Sequence, residues 1–195
     1  MYRGIKGTYI YACDENLREY FKKYITTFNN KTFTKKFDLR ILDVKDVKPY
    51  INSVPILDIK AAAGSFSDFQ LISDYEWVEL PLNISPKDGY FVCQVIGESM
   101  NEKIPNGSWC LFKRDDGGSR ENMIVLVEMT DYMDADFGSN YTIKKYNSKK
   151  IYKHDKWRHE FITLSPLSSI PFESIQLKDD ETKMVKVIGV FITVL

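Results

Sequence analysis

Residues 92–100, which read Val-Cys-Gln-Val-Ile-Gly-Glu-Ser-Met, are the stretch around which the chain is organised. A partly apolar strand pattern runs from Tyr90 to Ile96 and stops at Gly97. A glycine that ends a strand lets the backbone turn sharply and leaves little side chain around the next residues. Ser99 therefore lies where a nucleophilic hydroxyl, flanked by free backbone N–H groups, would be useful.

The sequence around and beyond this stretch predicts a mainly β fold. Turn signals rich in Pro, Asn, Asp and Gly separate short apolar runs, and no long helical stripe follows residue 27. The predicted strands are 77–82, 90–96, 109–113, 123–129, 141–146, 150–153, 160–165 and 185–194.

The first 53 residues predict a separate extension. Residues 7–13 are typical of a short strand, and apolar residues at helical spacing from Leu17 to Ile25 predict a helix that begins at Asp14. Residues 37–44 alternate like a strand, and the charged residues 43–53, interrupted by Pro49, predict a linker. We therefore expect a strand–helix extension at 1–53 and an antiparallel β domain at 54–195.

Composition sets limits on compartment and partners. The net charge is zero, but residues 1–50 have a balance of +5 and residues 51–195 a balance of −5. A solvated basic face explains the excess positive charge of residues 1–50 better than a nucleic-acid-binding surface does. Three cysteines without a C-x-x-C pair indicate neither disulfides nor a zinc site, and they fit a reducing cytoplasm. No apolar run approaches the roughly 18 residues of a membrane span.

Three features in a fixed order carry the chemistry: Ala63-Gly64, then Ser99, then Lys144. A serine hydroxyl is a weak nucleophile until a base takes its proton, and a lysine is a base near neutral pH only when burial disfavours its ammonium form. Lys144 and Lys145 point to opposite faces of a strand, and periodicity alone does not say which is inside. The small residues at 61–64 suit either a flexible join or an accessible cleavage site.

These motifs resemble the LexA-like peptidases of family S24 from about Val54 to Leu195. The family's Gly-x-Ser-Met stands at residues 97–100, its Thr-Val-Lys-Arg as Thr-Ile-Lys-Lys at 142–145, and its closing strand at 187–195. Ser108 departs from the usual acidic residue of the turn at 105–108. The self-cleaved Ala-Gly corresponds to Ala63-Gly64, within a cleavage segment at 54–70.

The resemblance implies a mechanism and partners. Ser99 would be the nucleophile, Lys144 the base, and the backbone N–H groups of Ser99 and Met100 the oxyanion donors, with no cofactor or metal. The substrate would be the chain's own Ala63-Gly64 bond, and a recombinase–DNA filament would activate cleavage. Such a peptidase would serve a DNA-damage or phage-defence response.

A second resemblance covers residues 2–14, which are similar to the closing strand of a helicase-like P-loop ATPase domain. Arg3 would correspond to an arginine that serves the nucleotide in that family. Because no G-x-x-x-x-G-K motif is present, no ATPase activity is predicted and the piece is interpreted as a remnant.

Several alternatives stay open. The β domain could be a non-catalytic dimerisation module, a homodimer forming through the apolar strand 185–194. A signal peptidase also uses a serine–lysine pair, but it needs a membrane anchor. One amphipathic helix without a recognition helix argues against direct DNA binding. Asp131, Asp134 and Asp136 match no calcium loop and predict a solvated hairpin, and His154 and His159 predict a charged connection without a catalytic role.

Overall fold

The computed structural model describes residues 2–3, 9–10, 39–58, 75–130, 132–134, 138–153 and 156–195. The chain divides into two compact units, residues 1–38 and 39–195. In the first unit, strand β1 (Tyr2–Arg3) pairs antiparallel with β2 (Tyr9–Ile10). The helix predicted from Asp14 lies outside the described residues.

The second unit is built on a seven-stranded antiparallel sheet, so the predicted mainly β fold is confirmed. In chain order its strands are β5 (Tyr90–Val95), β6 (Ser108–Arg114), β7 (Ile124–Met129), β8 (Tyr141–Lys153), β9 (Lys156–Ser165), β10 (Ile175–Lys178) and β11 (Val185–Val194). Across the sheet they follow the order β10-β9-β8-β7-β11-β6-β5. A two-stranded sheet joins β3 (Val54–Pro55) to β4 (Trp77–Val78).

The strands differ from the prediction in several places. The predicted strands 141–146 and 150–153 form one continuous strand, β8, because β7 pairs with residues 141–145 and β9 pairs with residues 145–153. The predicted strand 77–82 is only the two residues of β4. Strand β10 was not predicted, since its four residues alternate too briefly to stand out.

The second unit begins before the predicted boundary at residue 54, since residues 39–53, which include the predicted linker at 43–53, belong to it. Leu42 donates its N–H to the carbonyl of Trp77 at 2.8 Å, and Ile41 forms a bridge with Val78. A 3-10 helix, Val44–Asp46, replaces the end of the predicted strand 37–44. Leu39 packs against a core cluster and Ser53 is fully buried, which a solvated linker would not allow.

Aromatic packing fixes the strands beside the serine turn. The rings of Phe91 and Phe112 stack with centroids 5.5 Å apart, and Phe191 meets Phe112 edge-on. Gly189 lies against them, because a Cβ atom there would be 2.7 Å from Phe91 Cζ and 2.9 Å from the Lys113 carbonyl. This packing brings β5, β6 and β11 together under the turn that follows β5.

The buried cysteines belong to the same core. Cys93 and Cys110 are register partners on β5 and β6 and have no exposed surface. Burial raises the pKa of the Cys110 thiol to about 12, so the thiolate is suppressed. The prediction of small core residues is confirmed for both.

Core clusters cover both faces of the sheet at β7 and β8. Tyr141 and Ile143 belong to one cluster, whereas Tyr146 belongs to the other, with Val125 and Val127. The first half of β8 is therefore shielded from water, polar residues included. Within the described ranges, no helix has the length and apolar content to cross a bilayer.

Candidate active site

A strained turn presents Ser99 after β5. Gly97 has φ of 107°, which side-chain-bearing residues rarely adopt, and its N–H donates to Asn106 Oδ1 at 3.0 Å. The predicted role of Gly97 in ending the strand therefore matches its backbone conformation. Ser99 itself is partly exposed, so a substrate could reach its hydroxyl.

Two side-chain amides hold the Glu98 carboxylate on this turn. It accepts from Asn101 Nδ2 at 3.0 Å and from Asn106 Nδ2 at 3.2 Å. These bonds fix the side chain of the residue that precedes the serine. Neither Glu98 nor Asn101 lies in a sequence pattern that indicates this role, although Asn106 lies in a predicted turn.

The segment after β9 clamps the same turn through its backbone. The Leu167 N–H donates to the Ser99 carbonyl at 2.9 Å, and the Glu102 N–H donates to the Leu167 carbonyl at 3.1 Å. Asn101 Oδ1 accepts from the Ser169 N–H at 2.9 Å. The segment thus holds the turn at the Ser99 carbonyl and at the two residues Asn101 and Glu102.

Strand β8 brings Lys144 to Ser99. The Lys144 Nζ atom lies 2.8 Å from the Ser99 Oγ atom, which is hydrogen-bond distance. Lys144 is 5% exposed, whereas its neighbour Lys145 is half-buried. The two residues predicted as nucleophile and base are therefore adjacent, although 45 positions separate them in the chain.

Further acceptors surround the Lys144 amine. Nζ donates to Thr142 Oγ1 at 2.9 Å and to the Ile143 carbonyl at 3.2 Å. The Thr142 hydroxyl in turn lies 2.6 Å from Asp134 Oδ2, and that carboxylate oxygen is 3.9 Å from Nζ. The amine is thus held in a polar pocket inside an apolar sheet.

The prediction that Asp134 belongs to a solvated hairpin is wrong. Asp134 is 6% exposed because its N–H donates to the Ser139 carbonyl at 2.8 Å and folds the hairpin back towards Thr142. Asp131 and Asp136 lie outside the described residues. No sequence signal separates Asp134 from its acidic neighbours, whereas Thr142 is detectable because it lies two positions before Lys144 on the same strand face.

Two opposing effects act on the charge of the Lys144 amine. Burial removes water and disfavours the ammonium form, while the carboxylate of Asp134 favours it. Because the Asp134 and Lys144 side chains are only 9% and 6% exposed, both effects act with little screening by solvent. The arrangement can take a proton from an alcohol and return it to a leaving group.

The predicted oxyanion donors lie on the same turn. Among the described residues, none accepts a hydrogen bond from the backbone N–H of Ser99 or of Met100. Met100 is anchored, since its side chain is 2% exposed and its carbonyl accepts from the Ile104 N–H at 2.8 Å. The predicted cleavage site, Ala63-Gly64, lies outside the described residues.

The remaining candidates lie elsewhere. His159 is on β9, opposite Lys150, rather than in a connection, and burial together with Lys150 and Arg120 lowers its pKa. His154 lies outside the described residues. Within the described part of the chain, no group of three or more His, Cys, Asp or Glu residues could hold a metal ion.

Comparison with known proteins identifies the family. No curated protein matches the sequence significantly. The family model described as Peptidase S24-like matches residues 55–192, which include the serine turn, β8 and most of β11. Since this match covers well over half of the 195 residues, the chain belongs to the S24-like peptidase family.

Proposed function

We propose that the chain is a serine endopeptidase in which Ser99 and Lys144 form a catalytic dyad. The observation that carries the proposal is the 2.8 Å contact between Lys144 Nζ and Ser99 Oγ, with the lysine buried and the serine partly exposed. An ordinary turn serine has no reason to meet a buried amine, and a buried lysine is costly unless it is used or paired.

The chemistry follows from the dyad. Neutral Lys144 takes the proton of the Ser99 hydroxyl while Oγ attacks the carbonyl carbon of the scissile bond. The backbone N–H groups of Ser99 and Met100 donate to the oxyanion that forms. Lys144 then gives the proton to the leaving amine, which leaves an ester on Ser99. A water that loses its proton to Lys144 hydrolyses this ester, and the proton returns to Ser99.

The proposed substrate is the chain's own bond between Ala63 and Gly64. A tethered segment has a high effective concentration at the dyad, so proximity offsets a modest nucleophile. By resemblance to the family, a recombinase–DNA filament is the proposed activator, in a DNA-damage or phage-defence response in the cytoplasm. Direct DNA binding is not proposed.

Two further proposals concern the rest of the chain. The piece at residues 2–14, with Arg3 on β1, remains a proposed remnant of a helicase-like ATPase. A homodimer through β11 is also proposed, with one restriction: β6 and β7 pair with both edges of β11. Contact along the paired length would therefore use side chains such as Ile192, which is 41% exposed.

Mass spectrometry of the full chain after incubation at alkaline pH tests the proposal. We expect two fragments with a boundary between Ala63 and Gly64, absent from the Ser99→Ala and Lys144→Met variants. A Ser108→Ala variant serves as the matched serine control and should cleave like the wild type. An intact wild-type chain at every pH, with and without a recombinase–DNA filament, would favour the alternative, a non-catalytic interaction module.

A further inference from the structure

A hydrogen-bonded relay extends from the dyad to the hairpin before β8. It runs from Lys144 Nζ to Thr142 Oγ1 at 2.9 Å and from Thr142 Oγ1 to Asp134 Oδ2 at 2.6 Å. Asp134, Thr142 and Lys144 are 6%, 0% and 5% exposed, so water hardly competes for these bonds. A 2.6 Å separation is typical of a hydroxyl that donates to a carboxylate.

When the Lys144 amine is neutral, the donors and acceptors in this relay allow one arrangement. A carboxylate only accepts, so the Thr142 hydroxyl hydrogen points at Asp134. The Thr142 oxygen then has only lone pairs left for Lys144, and the Ile143 carbonyl likewise only accepts. A neutral amine has two N–H bonds and one lone pair. With both N–H bonds committed, the lone pair of Lys144 faces Ser99.

We infer that Asp134 is a positioning residue for the dyad: acting through Thr142, it fixes the direction of the hydrogen bonds so that the Lys144 lone pair meets the Ser99 hydroxyl. The inference rests on the proposed function. Without Asp134, the Thr142 hydroxyl is free to rotate and donate to the Lys144 nitrogen, which would occupy the lone pair that must accept the proton of Ser99.

Asp134 also acts on Lys144 through its charge. The carboxylate lies 3.9 Å from the amine and stabilises the ammonium form, which cannot accept a proton. Asp134 thus aligns the neutral base and at the same time raises the pH at which that base becomes available. The two effects are separable, because one depends on an acceptor oxygen and the other on a negative charge.

Other ionisable groups near the dyad are placed differently. Glu98 on the serine turn is held by the amides of Asn101 and Asn106. On β7, the register partner of Lys144 is the apolar Val125, and Glu128 pairs with Tyr141. Lys145 lies on the opposite face of β8. Among the residues that the structure describes, Asp134 forms an ion pair with the amine.

Labelling of Ser99 by a fluorophosphonate probe, followed against pH, tests the inference without needing the cleavage segment. Asp134→Asn keeps an acceptor oxygen and removes the charge, so the labelling midpoint should move to lower pH by about one unit with the plateau rate retained. Asp134→Ala removes both, so its plateau rate should also fall by about tenfold to a hundredfold.

Thr142 supplies a pair of near-isosteric variants that test the relay while preserving packing. Thr142→Ser keeps the hydroxyl and should label like the wild type, whereas Thr142→Val should lose as much plateau rate as Asp134→Ala. Asp116→Asn is the charge control, since Asp116 is an exposed partner of Lys113, and it should leave the labelling midpoint unchanged.

The outcomes separate the inference from the proposed function. If the wild type labels at Ser99, and the Asp134 and Thr142 variants keep its plateau and midpoint, the relay inference is overturned while the dyad stands. A plateau retained in Thr142→Val alone would also overturn the relay. If the wild type is not labelled at any pH, both proposals fall together.

Discussion

Two lysines on strand β8 show what burial does to one side-chain type. Lys144 lies in the first half of the strand, where residues 141–144 are all buried, and its amine meets Ser99, Thr142 and the Ile143 carbonyl. Lys149 lies in the second half with its side chain 61% exposed, and its amine meets the Glu160 carboxylate at 2.7 Å. We expect the shorter contact to be the weaker one, because the Lys149 side chain is largely exposed to solvent.

The difference comes from the neighbouring strands. The first half of β8 pairs with β7 and is covered by core clusters on both faces, whereas the second half pairs with β9 and exposes Lys149 and Lys150. A buried amine must be compensated by ordered polar partners, and these are what align it for proton transfer. An exposed amine is compensated by water and needs no such order.

The largest expected effect is the loss of the Lys144 amine. Lys144→Met keeps much of the side-chain volume and removes the base, so the self-cleavage rate and Ser99 labelling should both fall by at least about a hundredfold. Lys149→Met is the matched control on the same strand and should change neither rate by more than about twofold. Equal losses in both variants would show that burial does not distinguish the two lysines.

Only one of the two dyad residues was indicated by a local pattern. Gly97 ends a strand and Ser99 follows it, whereas the choice of Lys144 over Lys145 came from the family resemblance. That Ser99 and Lys144 lie close together was predicted from the family resemblance, because no spacing rule places the turn after β5 beside β8. The predicted β fold rested on alternation and turn residues.

Other features left no signal in the residue types. The clamp on Ser99 by Leu167 uses backbone groups, which every residue has. Asp134 resembles its acidic neighbours until the hairpin folds back and buries it. Residues 43–53 were predicted as a linker because charges and Pro49 dominate them, yet Ser53 is fully buried and the Tyr50 ring meets Trp77 edge-on, with centroids 5.6 Å apart.

A smaller effect, on stability, is expected from crowding the aromatic core of Phe91, Phe112 and Phe191 beside the serine turn. Gly189→Ala places a Cβ atom 2.7 Å from Phe91 Cζ and 2.9 Å from the Lys113 carbonyl, so the free energy of unfolding should fall by about 1–3 kcal/mol. Urea denaturation measures it. Phe91→Leu removes the ring atoms from this clash, so Gly189→Ala should cost less stability in a Phe91→Leu background than in the wild type. Equal costs in the two backgrounds would contradict this packing explanation.

The pH dependence of stability tests the outer part of the same sheet. The pKa of His159 is lowered by burial and by the cations Lys150 and Arg120, so the unfolded chain binds the proton more tightly. The stabilisation is present above about pH 6.5 and is lost as the pH falls through the lower pKa of the folded state.

Wild type and His159→Gln are compared by urea denaturation at pH 8 and pH 5. At pH 8 the histidine is neutral in both states and gives the baseline. Between the two pH values, the wild type should lose more stability than the variant, by a small margin because the ring is only partly buried. Equal losses would remove His159 as a source of the pH dependence.

The smallest effect is expected from the exposed pair itself. The Lys149 amine approaches Glu160 Oε2 at 2.7 Å, yet that oxygen has no hydrogen-bond partner, so the contact is an ion pair without hydrogen-bond geometry. A double-mutant cycle with Lys149→Met and Glu160→Gln should give a coupling energy below about 1 kcal/mol, reduced further by salt. A larger coupling energy that persists at high salt would mean that the second half of β8 is as well shielded from solvent as the first half. The contrast between the two lysines would then have to come from their partners and not from solvent.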